Sequence, residues 1–234
     1  MFLIGKKLIT KLFNASKFVM LQIEDAGTLH KEEITSPIDC AHIESLRGVI
    51  TAVTEDFNAM EYSLALEKTE RAFWQFCDYY LELVKARAYR EENMQKKRSA
   101  QATLEYSLHV FVRLFAPFLP YITEEIWSWR FSANAISIHH AQWPDLEETE
   151  IVQRTSTELL TIAMEILTNI RSAKTNAAKN MKHPVEILEI TAPKAITEHM
   201  SHIQDDIIRA GSVEAIAFLD ESKDLSVNVI LKSD

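Results

Sequence analysis

From Glu61 to Arg90 the apolar residues Leu66, Phe73, Cys77, Tyr80, Leu81, Val84 and Ala88 return at helical spacings, mostly threes and fours. Side chains at that period gather along one side of an α-helix, whereas the alternation of a strand would scatter them over both faces. Within the run, Phe73-Trp74-Gln75-Phe76-Cys77-Asp78-Tyr79-Tyr80 sets aromatic pairs on either side of a Cys-Asp step. A long helix with that many rings on one side has a large face to bury. Only four glycines and six prolines occur in 234 residues. So few turn formers suit long helices and argue against an all-β chain.

Other segments repeat the helical pattern. Residues 4–23 place Leu8, Ile9, Leu12, Phe13, Ala15, Val19, Met20 and Ile23 on one broad side. Ser36-Pro37-Ile38-Asp39 opens a second helix reaching about Asn58, with Ser36 offering a cap and Pro37 a fixed first turn. A fourth helix spans about Lys97–Ala116, is interrupted at Pro117 and Pro120, and resumes over Ile122–Trp129. Residues 136–144 read as irregular chain or a short strand. Asp145 to Glu150 is an acidic link, the candidate boundary between residues 1–145 and residues 146–234. A fifth long helix follows, about Glu150–Ala178. The tail then changes character: residues 185–190 and 225–231 alternate as half-buried strands do, with a helix over 194–209 and a strand over 213–219 between them. The expected fold is mainly α: a helical bundle, then a long helix and a small α/β C-terminal unit.

The net charge is −9, which at first argues against a polyanionic partner. Its distribution argues otherwise. Residues 1–20 carry Lys6, Lys7, Lys11 and Lys17 and no acid. Residues 85–98 carry Lys85, Arg87, Arg90, Lys96, Lys97 and Arg98 against Glu91 and Glu92. Residues 171–183 carry Arg171, Lys174, Lys179 and Lys182 with no acid. One basic face can bind a polyanion while acids elsewhere keep the chain soluble. The early lysines interrupt any signal-peptide pattern, and no stretch suits a membrane span. Cys40 and Cys77 lack metal-ligand spacing and read as buried free thiols. The cytoplasm is the expected compartment.

Phe18 stands out in the first helix. Lys7, Lys11, Asn14 and Phe18 follow one another at spacings of four, three and four, opposite the apolar stripe. Lysines can neutralise phosphates, an aromatic ring can stack on an unpaired base, and an amide can both donate and accept toward a base edge. The competing reading is that another element covers Phe18. Asp78 and Glu82, four residues apart, repel unless a cation sits between them; Lys85 or an arginine of another helix is the expected partner. His139 and His140 have no third ligand nearby, so no metal is expected.

These strings resemble the anticodon-binding domain of valyl-tRNA synthetases. Residues 5–19, with Lys11-Leu12-Phe13-Asn14-Ala15-Ser16-Lys17-Phe18-Val19, are similar to the family's Lys-Leu-Trp-Asn-Ala-Ser-Arg-Phe-Val, with Phe13 for Trp and Lys17 for Arg. The second change loses the planar fork that grips phosphate or a base edge at two points. Residues 73–87 resemble Phe-Trp-x-x-Phe-Cys-Asp-Trp-Tyr-Leu-Glu-x-x-Lys, with one residue fewer after Trp74 and Tyr79 for Trp. Residues 97–104 and 115–127 resemble two further segments, the latter, Pro117-Phe118-Leu119-Pro120 to Trp127, shared by several class I synthetases. Ser137 to Pro144 resembles the string that closes the domain. Ile170-Arg171-Ser172-Ala173-Lys174 is similar to an Ile-Arg-x-x-Lys stretch further on. Heptads for a terminal coiled coil are missing, and the tail is closer to a shorter, archaeal-style ending.

The resemblance implies recognition of the anticodon stem and loop of valine tRNA, with binding rather than chemistry as the mechanism. Lys6, Lys7, Lys11 and Lys17 would hold phosphates, Asn14 and Phe18 would meet splayed bases, and Lys85, Arg87 and the 171–182 basic run, with Arg171 and Lys174, would extend the phosphate track. Neither His-Ile-Gly-His nor Lys-Met-Ser-Lys-Ser occurs, so Met1 is expected to mark an engineered start or a chosen domain boundary. ATP, magnesium, aminoacylation and editing would belong to the catalytic and editing domains of a parent valine–tRNA ligase. The expected partners are tRNA and those domains, with no membrane, and a monomer is expected. Two alternatives stay open: the same domain of an isoleucyl- or leucyl-tRNA synthetase, and a helical protein-interaction module that binds no RNA.

Overall fold

The scarcity of turn formers translates into helices that run until a proline or a polar break stops them. In the computed structural model of the chain, residues 2–132, 136–147, 156–219 and 224–233 are described. The bundle consists of α1 (Phe2–Ile23), α2 (Pro37–Asn58), α3 (Tyr62–Gln75), α4 (Leu81–Arg90), α5 (Met94–Phe115) and α6 (Pro120–Arg130). α7 (Glu158–Asn176) leads to a tail of β1 (Val185–Thr191), α8 (Lys194–Met200), α9 (Gln204–Gly211), β2 (Val213–Phe218) and β3 (Ser226–Leu231). Most of the long fifth helix expected from about Glu150 is α7; residues 148–155 lie outside the described ones.

α3 and α4 are not one plain α-helix, as the periodicity suggests. A π-helical turn, Phe76–Tyr80, joins them within the aromatic run. Its widened ladder absorbs an extra residue and keeps the rings on either side aimed inward. Phe73 meets Phe111 at 5.4 Å and Phe115 at 5.5 Å, edge to face, in the centre of the bundle. His42 stacks on Tyr80 at 3.9 Å. Burial holds His42 near a pKa of about 3, so it is neutral there. α5 is the central helix, buried at nearly every position from Ser99 to Phe115.

Other local details depart from expectation. On α1, Leu8, Leu12, Ala15, Val19 and Ile23 are buried, but Ile9 and Phe13 are 39% and 38% exposed, so the apolar stripe is narrower than the sequence suggests. Ser36 occupies the N-cap of α2 without capping it; its hydroxyl accepts instead from Arg87 Nη1 at 3.2 Å. Residues 136–144 form a single 3-10 turn, Ile138–His140, pinned where Glu124 accepts from Ser137 Oγ and from the Ile138 N–H. The expected helix over 194–209 is two, α8 and α9, because the turn between them lets both Met200 and Ile203 reach full burial. Cys40 and Cys77 are buried free thiols, pushed up by burial to about 11 and about 12.

The strands form one sheet in the order β2-β1-β3, with β2 parallel and β3 antiparallel to β1; Leu188 faces Ile216 on one side and Val229 on the other. The hydrophobic core runs without a break from the bundle into this unit, through Ile170 and Ile207 to Leu188 and Val213. At Gly211 the end of α9 comes so close to α7 that a Cβ would lie 2.8 Å from Ile170 Cδ1. A larger residue there would have to displace the Ile170 and Val213 side chains.

A buried charge cluster fastens α9 to α4 and α2. Arg87, 3% exposed, gives both terminal nitrogens to Asp39 at 2.7 Å and its Nε to Asp206 at 3.2 Å. Burial opposes the guanidinium charge, but the two carboxylates outweigh it and keep Arg87 protonated. Asp39 already balances that charge, so Asp206 is a second carboxylate in a dry site. Burial raises its pKa from 3.8 to about 6 against the pull of Arg87. The folded protein therefore binds this proton more tightly than the unfolded chain does. The stabilisation is complete below the unfolded value and is lost as pH rises through about 6. Asp206→Asn is expected to be as stable as the parent, or more stable by about 1–3 kcal/mol, at pH 7. It should also flatten the dependence of stability on pH between the two values. Urea unfolding over a pH series checks this; a loss of more than about 1 kcal/mol at pH 7 would show that the charge on Asp206 is needed.

Candidate nucleic-acid interface

α1 lies alongside the α3–α4 helix and shows two exposed faces with different neighbours. On one, Lys11 donates to Asp78 at 2.8 Å and holds its ammonium 5.1 Å from the Trp74 ring centre. Lower on the same face, Lys85 sits 5.5 Å from the centre of Phe18 while pairing with Glu82 at 3.5 Å. Asp78 and Glu82 thus take one lysine each. Across the helix, Arg171 of α7 lies 5.0 Å from the Tyr79 ring and donates to the Asp78 carbonyl. Three cation–aromatic contacts follow the seam, each holding a charge against a ring without burying it.

The seam opens into a cleft of about 820 Å³. One wall is Phe18 and Gln22 of α1 with Glu82, Lys85 and Tyr89 of α4. The other is Arg171 and Lys174 of α7, Lys182 of the following loop, and the end of α9 from Arg209 to Ser212. Five cationic side chains line it against one carboxylate, in a chain whose net charge is −9. Phe18 is half-buried, its inner edge on the core, and Tyr89 is 60% exposed. Cations and rings in one concave site can hold a phosphodiester backbone and stack an unpaired base.

The residues singled out in the sequence divide into groups. Phe18, Lys85, Arg171 and Lys174 line the cleft, and helical spacing sets Lys7, Lys11 and exposed Asn14 on the same face of α1. Lys17 falls on the neighbouring face, beside a shallow apolar hollow lined by Phe13, Leu21 and Trp129; Lys6 shares that side by spacing. Arg87 needs correction as a phosphate contact. It is buried, and every nitrogen is engaged by Asp39, Asp206, Ser36 and the Lys96 carbonyl. Lys174 needs the same correction: it is 1% exposed and donates to the carbonyls of Met181 at 3.0 Å and Gly211 at 2.7 Å. Burial pulls its pKa below the ordinary lysine value. Tyr89 and Arg209 were not foreseeable as site residues, because only the docking of α9 onto α4 brings them to one opening.

Among known proteins, the family model described as the anticodon-binding domain of tRNA ligase matches residues 42–189. A valine–tRNA ligase of Thermobifida fusca is 38% identical over 216 residues, covering 92% of this chain and 24% of the relative. Valine–tRNA ligases of Cutibacterium acnes and Salinispora tropica are each 35% identical, covering 92% and 97% of this chain and 24% and 28% of their own length. The chain spans about a quarter of the length of these relatives.

Proposed function

The chain belongs to the family of anticodon-binding domains of tRNA ligases, and from that membership we propose that it recognises the anticodon stem and loop of valine tRNA through the cleft between α1, α4 and α7. The observation that carries this reading is the concentration of four accessible cations, with buried Lys174 behind them, and two aromatic rings in one opening of an acidic chain. Phe18 offers its outer face to a splayed base, and Asn14, one turn away on the same face of α1, reaches a base edge. Lys7, Lys11, Lys85 and Arg171 hold phosphates along the seam; Lys6 and Lys17 meet the backbone from the adjoining face of α1. Valine is the amino acid because the relatives are valine–tRNA ligases. The parent enzyme would join valine to its tRNA, using ATP and magnesium held by other domains.

The test is a binding titration against valine tRNA, isoleucine tRNA and valine tRNA with a changed anticodon, at low and at high salt. Preference for the valine anticodon, with affinity falling steeply as salt rises, is the expected result. Equal binding to all three would remove the anticodon from the reading, and affinity indifferent to salt would favour an apolar protein partner. Phe18→Ala is expected to weaken binding by about 1–3 kcal/mol without changing the salt dependence, because stacking releases no counterion. An unchanged affinity would exclude Phe18 as the platform.

A further inference from the structure

We propose that the C-terminal α/β unit forms the second jaw of the RNA cleft, with Arg209 and Lys182 holding loop phosphates opposite Phe18 and buried Arg87 positioning α9 for that contact. The inference rests on the RNA-binding reading above; it assigns a role to residues 184–234, for which sequence reading found only packing, and joins to them Lys182 of the basic run already read as phosphate track. Four of the five cations lining the cleft lie beyond residue 150, on α7, the following loop and α9. Arg209 is one of the few basic residues of a mostly acidic tail, and the fold brings it to the cleft.

Arg87 donates to Asp206, Arg209 pairs with Glu91 at 2.9 Å, and Lys96 approaches Asp205 at 3.7 Å on the surface, so polar contacts join the helix to α4 and the start of α5. Gly211 then lets its end close onto Ile170.

The end of a helix carries unpaired carbonyls and partial negative charge, which would repel a phosphate. Here a cation faces one of those carbonyls. The ammonium of Lys174 sits beneath the wall and accepts no RNA contact itself, but it donates to the Gly211 carbonyl at the last residue of α9 and to the Met181 carbonyl. A wall that would be negative becomes hospitable to a polyanion. Lys174 and Arg87 are therefore positioning residues, and Lys182 and Arg209 are the contacts.

The experiment measures binding of the full chain to a synthetic RNA hairpin carrying the valine anticodon loop, over a series of salt concentrations. Lys182→Ala and Arg209→Ala are each expected to reduce the slope of log affinity against log salt by about 0.7–0.9, the release of one counterion fewer. Phe18→Ala should weaken binding at unchanged slope. No hydrogen bond or ion pair of the Lys182 side chain occurs among the described residues, so its removal leaves the fold intact; Arg209→Lys keeps the charge and should retain the slope. If the parent chain binds the hairpin and the Lys182/Arg209 double variant shows the same slope, the jaw is wrong and the bundle alone binds. If the parent chain does not bind at low salt, the RNA-binding reading falls and the jaw falls with it.

Discussion

The unfolding free energy is expected to drop by about 3–5 kcal/mol when Asp39 is replaced by alanine. Asp39 is fully buried, and its two oxygens accept from both terminal nitrogens of Arg87, from Tyr80 at 2.7 Å and from Ser99 at 2.6 Å. Removing it leaves a guanidinium without its nearer counter-ion and two hydroxyls without their acceptor. Buried groups deprived of partners lose stability because water cannot replace what was lost. Ser99 makes the loss larger, since its oxygen also accepts from the N–H groups of Thr35 and Ser36 and so ties the start of α2 to α5. Urea unfolding followed by circular dichroism measures the effect. A loss below about 1 kcal/mol would mean that the cluster relaxes or takes in water on truncation. The two carboxylates on Arg87 thus carry opposite expectations: Asp39 is indispensable, and Asp206 is better neutral. With Asp39 gone, Asp206 is the carboxylate left to Arg87, so the tie between α4 and α9 should persist while the start of α2 loosens.

Phe73→Ala is the second large effect, also about 3–5 kcal/mol. The Phe73 ring is fully buried and sits between Phe111 and Phe115 of α5, with Phe76 at 6.3 Å. Truncation removes the transfer energy of the ring and leaves a void that three rigid neighbours cannot collapse to fill. It also ends two edge-to-face contacts worth roughly 0.5–1.5 kcal/mol each beyond area. Phe73→Leu should recover much of the loss, because volume rather than aromaticity dominates. The denaturant dependence should keep its m-value while the midpoint falls, as for a change in stability alone. Equal stability of the alanine variant and the parent would show that the bundle is not centred on this residue.

The fold is legible in the sequence wherever one periodicity dominates. The stripe of Leu8, Leu12, Ala15, Val19 and Ile23 finds α1, Pro37 marks the start of α2, and the alternation in residues 185–190 and 225–231 finds β1 and β3. The π turn is not legible, since Phe76-Cys77-Asp78-Tyr79-Tyr80 satisfies a helical apolar pattern with or without an extra residue in the ladder. Phe18 could be found because it breaks its own helix's pattern. Arg87 could not be placed: its partner Asp206 lies 119 residues away, and a basic residue in a basic run looks the same whether it faces solvent or a buried carboxylate. Lys174 misleads for a related reason, as its acceptors are backbone carbonyls that carry no signature in the sequence. Net charge pointed away from nucleic acid because it sums over surfaces that never meet the same ligand.

Mechanically, the path from Tyr62 through the π turn to Arg90 is a single strut about 40 Å long, with Lys85 and Tyr89 at its cleft end. A rod of that kind passes a push at one tip to the other with little loss. Its compliant point is the π turn, where the ladder is widened and Arg171 and Lys11 grip Asp78 from two sides. Those two contacts work as a splint. A load applied at the cleft would then reach the opposite end of the bundle as an axial shift of the strut, with bending resisted at the joint.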